Sequence, residues 1–114
     1  MTISQVSKQT DISLDTLRYY ERIGLIPPIK RSKSGVRDYS EEDLNWIGFA
    51  KCMRSAGLSI EVLSEYLRLY RQGDGTMAER KELLLEQRHN LEDKICEMQE
   101  TLRRLDKKIA GYGN

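Results

Sequence analysis

The chain has only two cysteines, one histidine and two prolines among its 114 residues, and no apolar run long enough to cross a bilayer. Without about 20 consecutive apolar residues there is no membrane-spanning helix. The opening "MTISQVSKQT" lacks the charged and apolar regions of a secretory signal, which points to a cytoplasmic protein. In that reducing setting Cys52 and Cys96, far apart in sequence, are expected to be thiols rather than a disulfide. No CxxC pair, histidine-rich tract or repeated unit occurs, which argues against a zinc finger and a solenoid. One histidine, no evident pair of catalytic carboxylates and no phosphate-cradling glycine loop give an enzyme little to work with. No catalytic site, cofactor or metal centre is therefore expected. Aromatics are scarce too, 7% against 32% charged residues, so there is material for one modest core and little beyond it.

What the chain does have is charge in the right places. Its net charge is only +1, yet residues 18 to 37 hold Arg18, Arg22, Lys30, Arg31, Lys33 and Arg37 against the single acid Glu21. A polyanion is the partner such a segment fits.

Helix punctuation divides the rest. Thr2 with Gln5 forms a capping box for a short helix to about Gln9, with Ile3 and Val6 on its apolar face. After a tight "TDI" turn, Ser13 caps a second helix from Leu14 to Ile23 that Gly24 ends. Leu14 and Leu17 share one face while Asp15, Arg18, Tyr19 and Arg22 fall elsewhere, so the pair predicts a helix-turn-helix whose second helix enters a DNA major groove. Pro27 and Pro28 forbid helix, and "IKRSKSGVRDYS" predicts a small basic hairpin turning at Ser34-Gly35. Ser40 caps a third helix running to about Ser55, and Ser59 a fourth ending near Gly73 with Leu63, Leu67 and Tyr70 towards the core.

The remainder predicts one long helix. Thr76 with Glu79 reads as its capping box, and a heptad seam follows. Met77, Leu84, Leu91, Met98 and Leu105 occupy one seam position, Ile95, Leu102 and Ile109 the other, with Lys81 and Arg88 interrupting the second position early. A lone helix of about 33 residues with such a stripe does not persist in water, so homodimerisation through Leu84, Leu91, Ile95, Met98, Leu102, Leu105 and Ile109 is expected. The periodicity leaves strand orientation open. The expected organisation is a DNA-binding head over 1–72 (recognition helix about 14–23, wing about 28–40), a dimerisation helix over 76–110 and a tail over 111–114. Two such heads would recognise a pseudo-palindromic site in double-stranded DNA.

"TLRYYERIGLI", then "RSKSGVRDYSEEDL", then "AGLSIEVL", then the long helix, together resemble the MerR family of bacterial transcriptional regulators over nearly the whole chain. The resemblance implies a mainly α fold, a winged helix-turn-helix head followed by a long C-terminal helix forming an antiparallel coiled-coil dimer. It implies binding between the two promoter elements that RNA polymerase recognises, with activation by kinking and untwisting a spacer that is too long. Carried over by position, the DNA contacts are Arg18 and Tyr19 in the recognition helix and Arg31, Lys33, Arg37 and Tyr39 in the wing. Ser13, Thr16 and Tyr20 complete the expected set, although the face of Tyr20 also suits the core.

The signal has little room to enter. After Ile109 only "AGYGN" follows, too short for a ligand-binding domain. Cys96 lies off the seam with no second thiol near it in sequence, and a soft metal wants at least two such ligands, so metal sensing is disfavoured. Cys52 sits between Lys51 and Arg54, and nearby cations stabilise a thiolate. Its place near a helix C-terminus works the other way, and a lone cysteine beside Phe49 and Met53 is most often a small core residue. "DLNWIGFAKCMRSAGLS" and "GDGTMAERKELLLEQR" are similar to the branch of the family that lacks an effector domain and responds to aldehydes or nitrosative stress. That resemblance implies Cys52 as the sensor, acting on the hinge between head and dimer helix; Cys96 is then passive and His89 a solvated helix residue. A ligand-independent repressor or architectural DNA-binding protein, and a metal-responsive regulator, stand as the alternatives.

Overall fold

Thr2 starts the fold as the sequence suggests: its hydroxyl accepts from the Gln5 amide while the Gln5 side chain accepts from Thr2, closing a capping box for α1, Ile3–Thr10. In this computed structural model, which describes residues 1–113, α2 spans Leu14–Arg22, α3 Glu41–Ser55, α4 Ile60–Arg71 and α5 Met77–Ala110. Asn114, the end of the expected tail, lies outside the described residues. Ser13, Ser40 and Ser59 each accept the amide proton of the third residue of their helices, and at Ser40 the Asp43 carboxylate returns the bond, making a second capping box. Gly24 ends α2 with φ +80°, and a Cβ there would stand 3.1 Å from the Ser64 hydroxyl. Glycine satisfies both constraints.

The chain divides into two compact units, Met1–Arg80 and Lys81–Asn114. The division falls inside α5, past the 73–76 stretch where the sequence suggests it. Within the first unit Val6, Ile12, Leu17, Ile26, Ile29, Tyr39 and Ile47 make one buried cluster. Leu25, Ala50, Leu58 and Leu63 make another, with Ile23, Phe49 and Met53 against it. Tyr20, half-buried, packs on both. Two small cores joined by one ring suit a chain with so few aromatics, since each helix needs to cover only a few aliphatic side chains.

Three expectations need correction, and one alternative reading falls away. The hairpin reduces to one antiparallel bridge, Arg31 with Arg37, around a turn in which the Gly35 amide donates to the Ser32 carbonyl at 2.9 Å. No strand forms there because Ile29 is buried while Val36 is exposed, so the two arms lack a shared apolar face. Tyr70 is 42% exposed, and Leu69 takes its place in the interior. Thr76 does not cap α5 with Glu79: it ends a 3₁₀ turn, Asp74–Thr76, and its buried hydroxyl bonds the Leu69 carbonyl at 2.6 Å. Cys52 is not a core thiol; it is exposed, as is Cys96.

The second unit is the rest of α5 followed by a short turn over 111–113. No residue of α5 is buried, and Ile95, Met98, Leu102, Leu105 and Ile109 are 47–72% exposed. Its charges are segregated. Residues 91–100 carry Glu92, Asp93, Glu97 and Glu100 against Lys94, whereas residues 101–110 carry Arg103, Arg104, Lys107 and Lys108 against Asp106. No helix among the described residues is long and apolar enough to cross a membrane.

Candidate nucleic-acid interface

The recognition helix presents its polar face because Leu17 and Tyr20 anchor the other. Arg18 is exposed, with a guanidinium nitrogen 3.3 Å from Asp15. Tyr19 is exposed as well, and the Arg22 guanidinium lies 5.3 Å from its ring centroid. At the head of the helix the Ser13 hydroxyl accepts the Thr16 amide at 3.1 Å and donates to the Thr16 hydroxyl at 2.8 Å. Both expected contacts are thus at the surface edge while their hydroxyls already hold the helix start together.

The wing carries Lys30, Arg31 and Lys33 in the open. Arg31 donates to the Gly35 carbonyl at 2.9 Å, which stiffens the turn. Arg37 is different: it is half-buried, and its Nε donates to Glu21 at 2.8 Å. The second Glu21 oxygen accepts the Ile29 amide at 3.1 Å. The one acid in the basic run is therefore a brace between recognition helix and wing, with both oxygens engaged. A carboxylate and a guanidinium sixteen residues apart carry no periodic signal, so sequence reasoning missed Glu21; its isolation among six bases was the clue.

The expected contact at Tyr39 does not hold. The residue is 2% exposed, packed with Val6, Leu17 and Ile47, and its hydroxyl finds no hydrogen-bond partner among the described residues. Burial raises its pKa, opposed by the nearby positive charge of Arg37. Its backbone has a role, donating from its amide to the Met1 carbonyl at 2.8 Å, which ties the wing's end to the entry of α1. Arg22 and Lys30, exposed beside the expected contacts, extend the basic surface; their place in the run was the signal for them. Electrostatically the outcome is a face with Arg18, Arg22, Lys30, Arg31 and Lys33 outward, suited to phosphates, and Tyr19 among them.

Away from that face, Cys52 stands on α3 between Phe49 and Met53, both packed on the second cluster. The cations flanking it are engaged: the Lys51 amine donates to the Thr10 carbonyl and Arg54 donates to the Leu58 carbonyl at 2.7 Å. Among the described residues no three His, Cys, Asp or Glu side chains gather as metal ligands. His89 is exposed on α5, 3.7 Å from Asp93.

The family model described as "MerR HTH family regulatory protein" matches residues 1–70, and "MerR, DNA binding" matches residues 44–108. The chain is 58% identical over 91 residues to the HTH-type transcriptional regulator AdhR of Bacillus subtilis, a match covering 80% of this chain and 65% of AdhR, just under two thirds of its length. It is 38% identical to the heavy metal-dependent transcription regulator 2 of Rhizobium meliloti, over 98% of this chain and 76% of that protein. A MerR family transcriptional regulator structure from Listeria monocytogenes superposes with TM-score 0.96 at 54% identity, over 98% of this chain and 85% of that one. HiNmlR, a MerR family regulator lacking the sensor domain and bound to promoter DNA, gives 0.89 at 31% identity, over 97% and 88%. With a helix-turn-helix head, a basic outward face and these likenesses along its length, the chain belongs to the MerR family of DNA-binding transcriptional regulators.

Proposed function

We propose that two copies of this chain pair through α5, seat their recognition helices in the halves of a pseudo-palindromic promoter site, and distort the DNA between the elements RNA polymerase reads. The observation that carries the reading is the seam: five large apolar side chains from Ile95 to Ile109 stand in solvent at heptad spacing, which a second copy would cover. Segregated charge supports an antiparallel pair, since each acidic half then lies beside a basic half. That attraction acts between exposed charges and weakens with salt. Arg18, Tyr19, Arg31 and Lys33 are the contacts we assign to DNA, with Ser13 and Thr16 at the helix start. Arg37 serves the wing's geometry first. Bending a site of this size costs on the order of 1–6 kcal/mol, so a modest change in the protein decides whether the distortion is made.

The exposed thiol of Cys52 is the proposed sensor, in a chain acting in the reducing cytoplasm. Its sulfur adds to the carbonyl carbon of an aldehyde to give a hemithioacetal, the thiol proton passing to the carbonyl oxygen, with no change in oxidation state. Cys52 shares α3 with Phe49 and Met53, which pack on the second cluster, so a shift of that helix is the route by which an adduct would reach the head. The experiment is in vitro transcription from the promoter the protein occupies, with and without formaldehyde or methylglyoxal, comparing native protein with Cys52→Ala. We expect the aldehyde to change transcript yield with native protein alone. An equal response in Cys52→Ala would remove the thiol from the mechanism. No response in either would favour a ligand-independent regulator, and a response to zinc or copper ions instead would favour the metal-responsive reading.

A further inference from the structure

The bend between α4 and α5 is held by side chains as well as by backbone. Gly73 takes φ +97°, a conformation other residues adopt rarely. One 3₁₀ turn follows before Met77 opens α5. The Thr76 hydroxyl lies 2.6 Å from the Leu69 carbonyl and 2.9 Å from the Gly73 carbonyl, sharing its single proton between them. Its lone pair takes the Arg80 Nε–H at 3.1 Å. Arg80 also reaches the Gly73 carbonyl through Nη2 at 3.4 Å, and its guanidinium lies 5.2 Å from the Tyr70 ring centroid. Tyr70 in turn meets Trp46 of α3 edge-on at 5.0 Å, and Trp46 adjoins Phe49 at 6.1 Å and Tyr66 at 5.9 Å.

One side chain thus ties the first turn of α5 to the bend, to α4 and, through two rings, to α3. Arginine suits that task because its planar fork donates in two directions while its face stacks; a lysine ammonium cannot do both. The arrangement also explains why Tyr70 is left at the surface: its outer face is the seat of the cation.

We propose that Arg80 is a positioning residue that sets how far the operator is distorted rather than how tightly it is bound. The proposal rests on the reading of the protein as a dimer that deforms its promoter. Forcing a duplex out of its resting shape requires every joint between the two heads to be stiffer than the DNA. A slack joint yields first. With Arg80 truncated, Thr76 and Gly73 lose donors and Tyr70 loses its cation, so the bend becomes the compliant element. The DNA contacts are untouched, and a complex that no longer deforms its DNA is spared that cost, so affinity holds or rises.

The test uses the full chain with Arg80→Gln, Arg80→Lys and Tyr70→Leu. Operator affinity is read by anisotropy, bend by energy transfer between the ends of a labelled operator, output by in vitro transcription, and integrity by thermal melting. At saturating protein we expect Arg80→Gln to lose the bend signal and to lower activated transcription about tenfold, a change matching one cation–π contact and one hydrogen bond. Affinity should be equal to or above native. Arg80→Lys should fall between the two, and Tyr70→Leu should follow Arg80→Gln more weakly. An Arg80→Gln protein that bends and activates like native at saturation, or whose output falls only as its affinity falls, overturns the proposal. A native chain that binds its operator and leaves it straight contradicts the underlying reading, and the proposal with it.

Discussion

In Met1–Arg80 every helix finds cover for its apolar face: Val6 of α1, Leu17 of α2, Ile47 of α3 and Leu63 of α4 are all 3% exposed or less. In Lys81–Asn114 residues of the same chemistry, at spacing just as regular, bury nothing completely. Apolar periodicity states that a face must be covered; it does not say by what. Four short helices within one chain can cover one another, whereas a 34-residue helix presents a stripe longer than a small head can match. On the proposed reading the contrast assigns two kinds of stability to one molecule, a local core that acts at any concentration and a seam that a second copy would cover.

The largest effect that would break this contrast is on the seam. Leu102→Asp should disrupt the dimer by about 3–6 kcal/mol, twice the burial of one leucine because both copies carry the change, or roughly two to four decades in its dissociation constant. Sedimentation equilibrium reads this, and the head's melting should be unaltered. A dimer of native strength would mean that the seam is not the interface.

Next in size is the basic face. Arg18→Ala with Lys33→Ala should weaken operator binding strongly while the dimer stays intact, and each lost phosphate contact should flatten the log–log salt dependence by roughly 0.9. Retained affinity would place the DNA elsewhere on the head.

A smaller change would sharpen the role of the brace. Glu21→Ala leaves the Ile29 amide and Arg37 without their acceptor, which should cost the head roughly 1–3 kcal/mol in urea denaturation and loosen the wing, while Glu21→Gln should recover part of both. Equal behaviour of the two variants would show that the carboxylate's hydrogen bonds do not matter.

The smallest effect concerns Tyr39. Removing a buried hydroxyl with no partner by Tyr39→Phe should be neutral or stabilise by up to about 1 kcal/mol, with operator affinity unchanged. The same group fixes a pH dependence. Burial holds its pKa above the ordinary 10.0, so the folded head favours the neutral phenol. Its contribution is complete below pH 10 and is lost as pH rises through the folded value. Native protein should therefore lose stability faster than Tyr39→Phe above about pH 10, in parallel alkaline melts; identical slopes would count against burial as the cause.

Much of this architecture is legible in the amino-acid sequence. Caps at Thr2, Ser13, Ser40 and Ser59 and the stop at Gly24 are local chemistry, a hydroxyl within reach of the amide three residues on or a glycine at positive φ, so the elements between them follow. The long helix is legible for the same reason, since its periodicity repeats over many turns. What escapes a reading of the sequence is contact between distant segments. Tyr39 sits in a basic wing by sequence, yet packs against α1 and α3, which only the tertiary fold brings to it. Glu21 and Arg37 meet across a turn, and Tyr70 faces outward because Arg80 of the next helix stacks on it. At Thr76 the local pattern misleads: the hydroxyl suits a capping box, but the Leu69 carbonyl in the last turn of α4 and the Gly73 carbonyl beyond it take its proton instead.

The most direct test of the contrast between head and helix is the stoichiometry and affinity of operator binding, measured by titrating native chain onto a full pseudo-palindromic site and onto one half of it. We expect two chains per full site and a half-site bound more weakly by decades, because one head alone offers too few phosphate contacts. One chain binding a half-site as tightly as the full operator would contradict the pairing of heads through α5.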